Sequence, residues 1–338
     1  MMDTLFGDAA QRLFAQAYST EVLHAIERGQ SATAAWQAVE DSGFLDALLP
    51  EDAGGAGLRL ADIVPLAQSA GRHAVGAPVI QTLLARAWLH HAGHQPPSGP
   101  IALAPFQVHH TTAGIQAHAV GAARVAQWVL AATPDGARLL PVAQAEIAPS
   151  GGHGSLDADL HWPPAVLPDS ALLNIADVSL ADLAAVAYAG LIAGALEQIL
   201  ALTIDYANQR TQFGKPIGRF QAVQQQISVL AEQVWAVRTA AQLAYQSPDW
   251  RPAPLLAALG KARASAAVTR AADIAHAVHG AIGVTAEYEL QYCTRRLREW
   301  RRAAGGEPYW NARIGADALA ASTSALDYVR KHLFAVIE

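Results

Sequence analysis

The sequence QRTQFGKPIGRFQAVQQQ, residues 209–226, lies between two long alanine-rich segments. Gly214 predicts that a helix ends here, because glycine readily adopts the left-handed conformation of a helix C-cap. Arg210 and Gln212 carry hydrogen-bond donors, and Phe213 offers an aromatic face. The residues alone leave two interpretations open, a plain helix–turn–helix connector or a connector whose side chains bind a phosphate or a nucleotide.

Helices are predicted on both sides of this stretch. The preceding segment, from Val178 to about Arg210, contains no proline, and Gly190 and Gly194 have the spacing that suits close helix packing. After the turn, apolar residues recur on one helical face: Phe220, Val223, Ile227, Leu230, Val234, Val237 and Ala241. Further helices are predicted over 255–278, around the arginines near 300, and over about 311–334. Residues 177–338 are therefore predicted to form a helical bundle.

The rest of the chain predicts two smaller units. Residues 1–100 have helical periodicity, interrupted by the glycine-rich PEDAGGAGL at 50–58. Residues 101–176 alternate short apolar runs with turns, and WVLAATPDGARLLPV, residues 128–142, predicts a β-hairpin around Pro-Asp-Gly. The fold class is therefore mainly α with a small middle β domain.

Composition excludes several classes of protein. The chain has 338 residues, of which 52% are hydrophobic, and a net charge of −6, which argues against general nucleic-acid binding. Its single cysteine, Cys293, permits no intramolecular disulfide, which fits the cytoplasm. The apolar stretch 183–196 is judged too short to span a membrane. His90 and His94 lack a third ligand, so no metal site is predicted.

A second motif, HGAIGVTAEYEL, covers residues 279–290. Its two glycines indicate either a helix break forced by close packing or a backbone that approaches a phosphate. The run RRLREWRR, residues 295–302, is typical of a salt-bridged surface, with Glu299 as an available partner, and otherwise of phosphate binding.

Three segments together resemble the acyl-CoA dehydrogenase family. LLPEDAGGAGL resembles its N-terminal "PE-x-x-GG-x-G" segment, and DYANQRTQFGKPIGRFQAVQQQ, residues 205–226, is similar to its "Y-x-x-x-R-x-Q-F-G-x-P-I-x-x-F-Q-x-x-Q" signature. HGAIGVTAEYEL resembles its "HGGIGFT-x-E" signature. The resemblance covers nearly the whole chain and implies an N-terminal helical domain, a middle β domain and a C-terminal four-helix bundle.

The resemblance also implies a flavoprotein that desaturates an acyl-CoA thioester between its α and β carbons. FAD would lie at a subunit interface, and electron-transfer flavoprotein would be the electron acceptor. Carried over by position, the residues that hold the neighbouring subunit's FAD are Arg210, Gln212, Phe213, Gln221, His279, Gly280 and Gly283.

Two departures from the family concern catalysis. The region of the catalytic glutamate reads AAGGEPYWNARIG, residues 303–315, with a glycine at the base position and Glu307 out of register. Asp182 is the only carboxylate close to the alternative base position near the start of the first bundle helix. Both are weak candidates. The family's "T-E-P-x-x-G-S-D" segment is also replaced, by IALAPFQVHHTTAG at 101–114.

These departures favour one hypothesis over another. Some members, including those acting on steroid side chains, pair a full-length chain with a shorter one. The favoured hypothesis is a subunit that completes the FAD site of a longer paralogue in a heterotetramer. The alternative is a self-sufficient FAD-dependent homo-oligomer, and a helical scaffold without flavin is a third class.

Overall fold

The computed structural model describes residues 2–170, 172–173 and 177–334. Helices come first, two small sheets follow, and a helical bundle completes the chain. The predicted boundary between the β domain and the bundle, at residues 176 and 177, falls beside positions 174–176, which lie outside the described residues.

Five helices form the N-terminal part: α1 (Met2–Ala17), α2 (Thr20–Glu27), α3 (Thr33–Asp41), α4 (Val64–Arg72) and α5 (Val79–His91). The glycine-rich segment between α3 and α4 forms short 3-10 turns, as the sequence pattern predicts for a break. Eleven of the thirteen residues of α5 are buried, because this helix packs between the N-terminal helices, the first sheet and the bundle. The N-terminal helices thus share one apolar core with the bundle.

The middle domain contains two four-stranded sheets. The strands are β1 (Ile101–Ala104), β2 (Val108–Thr111), β3 (Gly114–Val120), β4 (Trp128–Thr133), β5 (Gly136–Pro141), β6 (Glu146–Pro149), β7 (Ala158–Trp162) and β8 (Leu172–Leu173). The first sheet has the order β1-β4-β5-β8 and the second the order β2-β3-β7-β6. The predicted hairpin is confirmed: β4 and β5 pair antiparallel, from Trp128 opposite Pro141 to Thr133 opposite Gly136.

The C-terminal part contains four long helices: α6 (Leu180–Gln209), α7 (Gln221–Ala244), α8 (Pro254–His279) and α9 (Leu290–Arg302). Between α6 and α7 lie the two short strands β9 (Thr211–Gln212) and β10 (Lys215–Pro216). The helices α10 (Glu307–Ala320) and α11 (Ala325–Val329) follow, and a π-helical turn covers Arg330–Phe334. The most extensive packing joins α8 to α6 and α7, and α6 to α4.

α6 is the central helix of the protein. Its length and apolar composition would suffice to cross a membrane, although 83% of its most apolar window is buried inside the protein. The expectation that this apolar stretch is too short was therefore wrong about length, because the helix extends well beyond 183–196. A Cβ on Gly194 would lie 1.8 Å from the carbonyl oxygen of Gln68 in α4. The close packing predicted from Gly190 and Gly194 is thus present between α4 and α6.

Two local predictions were wrong. The last helix does not run unbroken over 311–334: it ends at Ala320, and Ser324 caps a new helix by accepting a hydrogen bond from the Asp327 N–H at 3.1 Å. Gly214 does not cap α6, which ends at Gln209, because the following residues leave the helix as a strand.

Candidate functional site

The signature stretch forms a small β-hairpin at the end of α6. Gln212 pairs with Lys215, and the two turn residues, Phe213 and Gly214, have φ angles of 50° and 79°. Two consecutive positive φ values are the geometry of a type I′ turn, which joins antiparallel strands tightly. A positive φ is costly for phenylalanine, and the turn leaves its ring 91% exposed. The hairpin therefore holds an aromatic ring out in solvent at a cost in strain.

The hairpin and the turn after it, residues 210–220, are basic. Arg210, Lys215 and Arg219 are all exposed, and none pairs with a carboxylate among the residues that the structure describes. Lys215 Nζ lies 4.4 Å from the centre of the Phe220 ring, a cation–π contact that leaves its charge available. We refer to residues 210–220 as the basic hairpin. Unpaired guanidinium groups are suited to phosphate oxygens, which they bind in a bidentate manner.

Two further predicted residues flank the basic hairpin. Gln212 is exposed on β9, and Gln221 is the exposed first residue of α7. No side chain caps the N-terminus of α7. Its partial positive charge therefore adds to that of the hairpin cations and favours an anion at this end of the bundle.

The second motif lies at the same end of the bundle. The ring of Tyr206, in the last turn of α6, stacks on His279 with centroids 4.6 Å apart. His279 is only 3% exposed, and its Nδ1 is 2.7 Å from the carbonyl oxygen of Ala275. Burial lowers the pKa of His279, while the Leu202 carbonyl nearby favours its protonated form. The His279 ring thus packs inside the protein against Tyr206, and it is not presented to solvent.

The two predicted glycines have different roles. Gly280 has a φ of 66° and a ψ of −145°, a conformation that only glycine adopts without strain. Gly283 is buried, and a Cβ there would lie 3.0 Å from the Cβ of His279. Gly283 therefore fits the close-packing interpretation, while Gly280 bends the backbone beside the exposed side chains of Ile282 and Val284.

A cavity of about 660 Å³ lies between the β domain and the bundle. Strand β1 and the following residues Pro105 and Phe106 form one wall, and the turn from Ala303 to Gly306 forms another. Phe106 and Tyr309 close one side, with ring centroids 4.9 Å apart. The wall thus combines an apolar strand with a glycine turn.

Two carboxylates line this cavity. Asp157 precedes β7, and its Oδ1 accepts a hydrogen bond from the Ala122 N–H at 3.1 Å. Glu299 lies on α9 and accepts a hydrogen bond from Arg296 Nη1 at 2.7 Å. Burial, together with the charge of Glu299, raises the pKa of Asp157 to about 6. A carboxyl group in a shielded cavity with a pKa near neutrality is able to exchange protons at physiological pH.

A buried lysine fixes the glycine turn of the cavity. Lys261 is fully buried in α8, and its Nζ donates hydrogen bonds to the carbonyl oxygens of Trp300, Arg301 and Gly305 at 3.0–3.1 Å. The first two carbonyls belong to the last turn of α9, where backbone acceptors have no partner within the helix. Lys261 therefore holds the end of α9 and the turn after it in one position.

Comparison with known proteins agrees with this architecture. The family model "Acyl-CoA dehydrogenase, C-terminal domain" matches residues 179–319. The acyl-CoA dehydrogenase IpdE2 of Mycobacterium tuberculosis is 30% identical over 268 residues, which cover 76% of this chain and 77% of that protein. The chain belongs to the acyl-CoA dehydrogenase family. Relatives that match over most of the chain are named acyl-CoA dehydrogenases, which confirms the predicted family and enzyme class.

Two further acyl-CoA dehydrogenase comparisons cover more of the chain. The acyl-CoA dehydrogenase FadE28 of Mycobacterium tuberculosis is 29% identical in an alignment of 350 positions, which covers 89% of this chain and 96% of that protein. A chain of the ChsE4-ChsE5 complex from Mycobacterium tuberculosis superposes with a TM-score of 0.78 at 22% identity, covering 96% of this chain and 98% of that one. The predicted fold class is thereby confirmed over nearly the full length.

Neither candidate base reaches the cavity of this acyl-CoA dehydrogenase chain. Asp182 is 3% exposed and is held by Arg313 of α10, with Nη1–Oδ1 and Nη2–Oδ2 distances of 2.5 and 3.1 Å. Burial raises its pKa, and the guanidinium opposes that shift. Glu307 begins α10 and is absent from the cavity wall, whereas the preceding Gly305 and Gly306 belong to it. At the position where the resemblance predicts the family's base, the cavity wall is glycine backbone.

Asp157 was not predicted as a site residue from the sequence. Along β7 the buried Ala158, Leu160 and Trp162 alternate with polar residues, so the pattern places Asp157 and Asp159 on the outward face of a half-buried strand. Asp157 becomes shielded only because the bundle packs against that end of the strand. The alternation of apolar and polar residues along β7 was the signal available in the sequence, and it does not indicate that Asp157 is shielded.

The arginine run is mainly structural. Arg295 and Arg296 bind Glu27 of α2 at 2.7 and 3.0 Å, and Arg296 also binds Glu299. The salt-bridged interpretation is thus confirmed for this part of the run. The network ties α9 to the N-terminal helices beside the cavity.

Proposed function

We propose that this chain is a subunit of a heteromeric acyl-CoA dehydrogenase and completes the FAD site of a longer, catalytic paralogue. One contrast carries the proposal. The cations of the basic hairpin are exposed and form no ion pair with any residue that the structure describes, whereas the chain's own cavity has glycine backbone where the family's base would lie. The chain would therefore retain the surface that serves a neighbour's cofactor, while no carboxylate among the described residues stands at the predicted base position.

The residues at the end of α6 fit the ADP half of FAD. Arg210 supplies a guanidinium that pairs with no carboxylate within the described ranges, Gln212 adds amide donors, and Phe213 presents a ring that is 91% exposed. A planar adenine and a pyrophosphate would satisfy these groups by stacking and by charge-assisted hydrogen bonds. When bound, FAD supplies the acceptor for the hydride removed from the acyl-CoA.

The surrounding residues position these groups and offer apolar surface beside them. The Arg210 N–H donates to the carbonyl oxygen of Tyr206 at 2.8 Å, and its own carbonyl accepts from the Ile217 N–H at 2.8 Å. The backbone of Arg210 is thus fixed while its side chain stays free. Ile282 and Val284, which are 42% and 70% exposed, offer apolar surface at the same end of the bundle for a partner subunit to cover.

Relatives support a two-chain assembly. ChsE4 and ChsE5 form a complex, and a chain of that complex matches this fold over nearly its whole length. The proposed assembly is a heterotetramer that acts on an acyl-CoA and passes its electrons to electron-transfer flavoprotein. A self-sufficient homo-oligomer remains the alternative against which the assembly is tested.

The first experiment expresses the chain alone and then with a longer acyl-CoA dehydrogenase paralogue encoded nearby. The visible spectrum of each purified product measures bound flavin. We expect flavin only in the co-expressed complex. Flavin bound to the chain alone and bleached by an acyl-CoA would refute the partner role and establish the homo-oligomeric alternative.

The second experiment tests the hairpin. Arg210→Ala removes the free guanidinium, and we expect the complex to lose most of its flavin while the two chains still co-purify. Arg28→Ala, an exposed arginine at the end of α2, is the matched control and should leave flavin content unchanged. Full flavin occupancy in Arg210→Ala would contradict the role assigned to this residue.

A further inference from the structure

A small recess opens from the inner end of the cavity. The two share the walls formed by Gly121, Asp157, Tyr188, Glu299 and Ala303. The recess has a volume of about 10 Å³, which is the space for one water molecule or one hydroxyl group. We call it the inner recess. Its position gives the large cavity a polar inner end.

One buried acceptor in the inner recess has no partner. Gln81 of α5 lines the recess, is 4% exposed, and its Oε1 accepts no hydrogen bond. A buried amide oxygen without a donor costs about 1–3 kcal/mol, so such atoms usually bind a water or a ligand. The unpaired oxygen therefore points to an occupant that donates a hydrogen bond.

Gly121 keeps the inner recess open. A Cβ at this position would lie 2.4 Å from the hydroxyl oxygen of Tyr188 and 3.8 Å from Asp157 Oδ1. Its φ lies outside the left-handed region, so the backbone conformation does not require glycine. The absence of a side chain at Gly121 thus leaves room for a small group beside the tyrosine hydroxyl and the carboxylate.

The groups around the inner recess select a neutral donor. Asp157 and the Gln81 Oε1 are oxygen acceptors. The pKa of Tyr188 is raised by burial and by the charge of Asp157, and a hydrogen bond from the Gln81 amide N–H opposes that shift; the hydroxyl keeps its proton and can donate one hydrogen bond. Glu299 is already paired with Arg296, and Arg302 adds a second cation at the cavity. The positive charges therefore offset the carboxylates and leave little net charge to attract an ammonium. The same balance leaves little net charge to attract a carboxylate ligand.

We propose that the inner recess binds the hydroxyl group of an otherwise apolar ligand, whose hydrocarbon body fills the cavity beside Leu103, Phe106 and Tyr309. The hydroxyl donates to the Gln81 or Asp157 oxygen and accepts from Tyr188. The proposal goes beyond the flavin assignment and does not depend on it, because it concerns a site formed within one chain.

A set of three probes with the same bicyclic body tests the proposal: 2-decalol, 2-decalone and 2-methoxydecalin. Their dissociation constants for the purified chain, in the assembly that it forms, are measured by calorimetry. We expect the alcohol to bind about tenfold more tightly than the ketone or the ether, which is the effect of one hydrogen bond. Equal affinities, or no binding of any probe, would overturn the proposal and leave the recess to a water molecule.

Two variants test whether the preference for the alcohol arises in the inner recess. Gly121→Ala fills the inner recess, and Gln81→Met removes the unpaired oxygen while keeping the side-chain length. Each should abolish most of the alcohol preference and leave the affinity for the ether within about twofold. Glu146→Gln, on the outer surface of β6, should leave all three affinities unchanged. An alcohol preference that persists in both cavity variants contradicts the proposed site.

Discussion

Replacing Asp157 with asparagine should stabilise the protein at neutral pH. Burial and the charge of Glu299 raise the pKa of this carboxyl from 3.8 to about 6 in the folded state. A shift of about two units corresponds to roughly 3 kcal/mol, since one unit is about 1.4 kcal/mol. Asparagine keeps an oxygen for the Ala122 N–H and carries no charge, so it avoids this cost.

The direction of the pH dependence follows from the two pKa values. Because the folded pKa is the higher one, the folded protein binds more protons than the unfolded chain between about pH 4 and pH 6. Its stability from this group therefore falls as pH rises through that window and stays low above it. The asparagine variant lacks this contribution. The gain in free energy of unfolding should be largest near pH 8, at up to about 3 kcal/mol, and should vanish near pH 4.

The measurement is urea denaturation of both proteins at pH 4 to pH 8, followed by circular dichroism. Asp41→Asn is the control: this carboxylate, at the end of α3, is exposed, accepts a hydrogen bond from the Gln37 side chain at 2.7 Å, and forms no ion pair with the described residues. The change in free energy of unfolding that this control causes should not increase with pH in the same way. The reasoning would be refuted if the difference in free energy of unfolding between Asp157→Asn and the wild type were constant with pH, or if the variant were less stable than the wild type at pH 8.

Three other substitutions test the packing and the hairpin. Lys261→Met removes one donor from three backbone carbonyls, of which those of Arg301 and Gly305 keep a second donor, from Ser265 and Trp310. Since burial lowers the pKa of Lys261 to about 7, the wild type gains stability as pH rises above 7, and the deficit of the variant in urea denaturation should widen from pH 6 to pH 9. Gly194→Ala places a Cβ 1.8 Å from the Gln68 carbonyl oxygen and should lower the free energy of unfolding by about 3 kcal/mol. Gly315→Ala, on an open face of α10, is its control and should raise the free energy of unfolding by roughly 0.5–1 kcal/mol. Equal melting temperatures for the two variants would contradict the close contact. Phe213→Gly relieves the positive φ and should stabilise the isolated chain by about 1 kcal/mol while lowering the flavin content of the complex, and an unchanged flavin content would separate the ring from cofactor binding.

The sequence was sufficient to predict the order of the helices and strands and the motif at one end of the bundle. Helical periodicity, the Pro-Asp-Gly turn and the motif around Arg210 depend on neighbours close in sequence, so these features are readable locally. The hairpin at Phe213 was less predictable, because a glycine after a helix fits a C-cap and a type I′ turn equally well. The choice between them depends on how the strand after α6 pairs.

The inner recess was not predictable from sequence. Gln81, Gly121 and Tyr188 come from a helix, a loop and another helix, and their association requires the β domain to dock on the bundle. The same docking shields Asp157 and shifts its pKa, although its strand pattern indicates an outward face. Electrostatic environments of this kind depend on contacts between residues distant in sequence, and local periodicity carries no information about them.

The position of α6 in the chain has a consequence for synthesis. A helix this apolar would be a substrate for membrane insertion if it left the ribosome without a partner. Its packing partner α4, Val64–Arg72, is encoded upstream and is therefore translated first. Vectorial synthesis thus makes one apolar surface available to α6 before α7 and α8, its other large packing partners, are translated. A circular permutant that begins at α6 would remove this early partner and expose the helix for longer to targeting factors and chaperones.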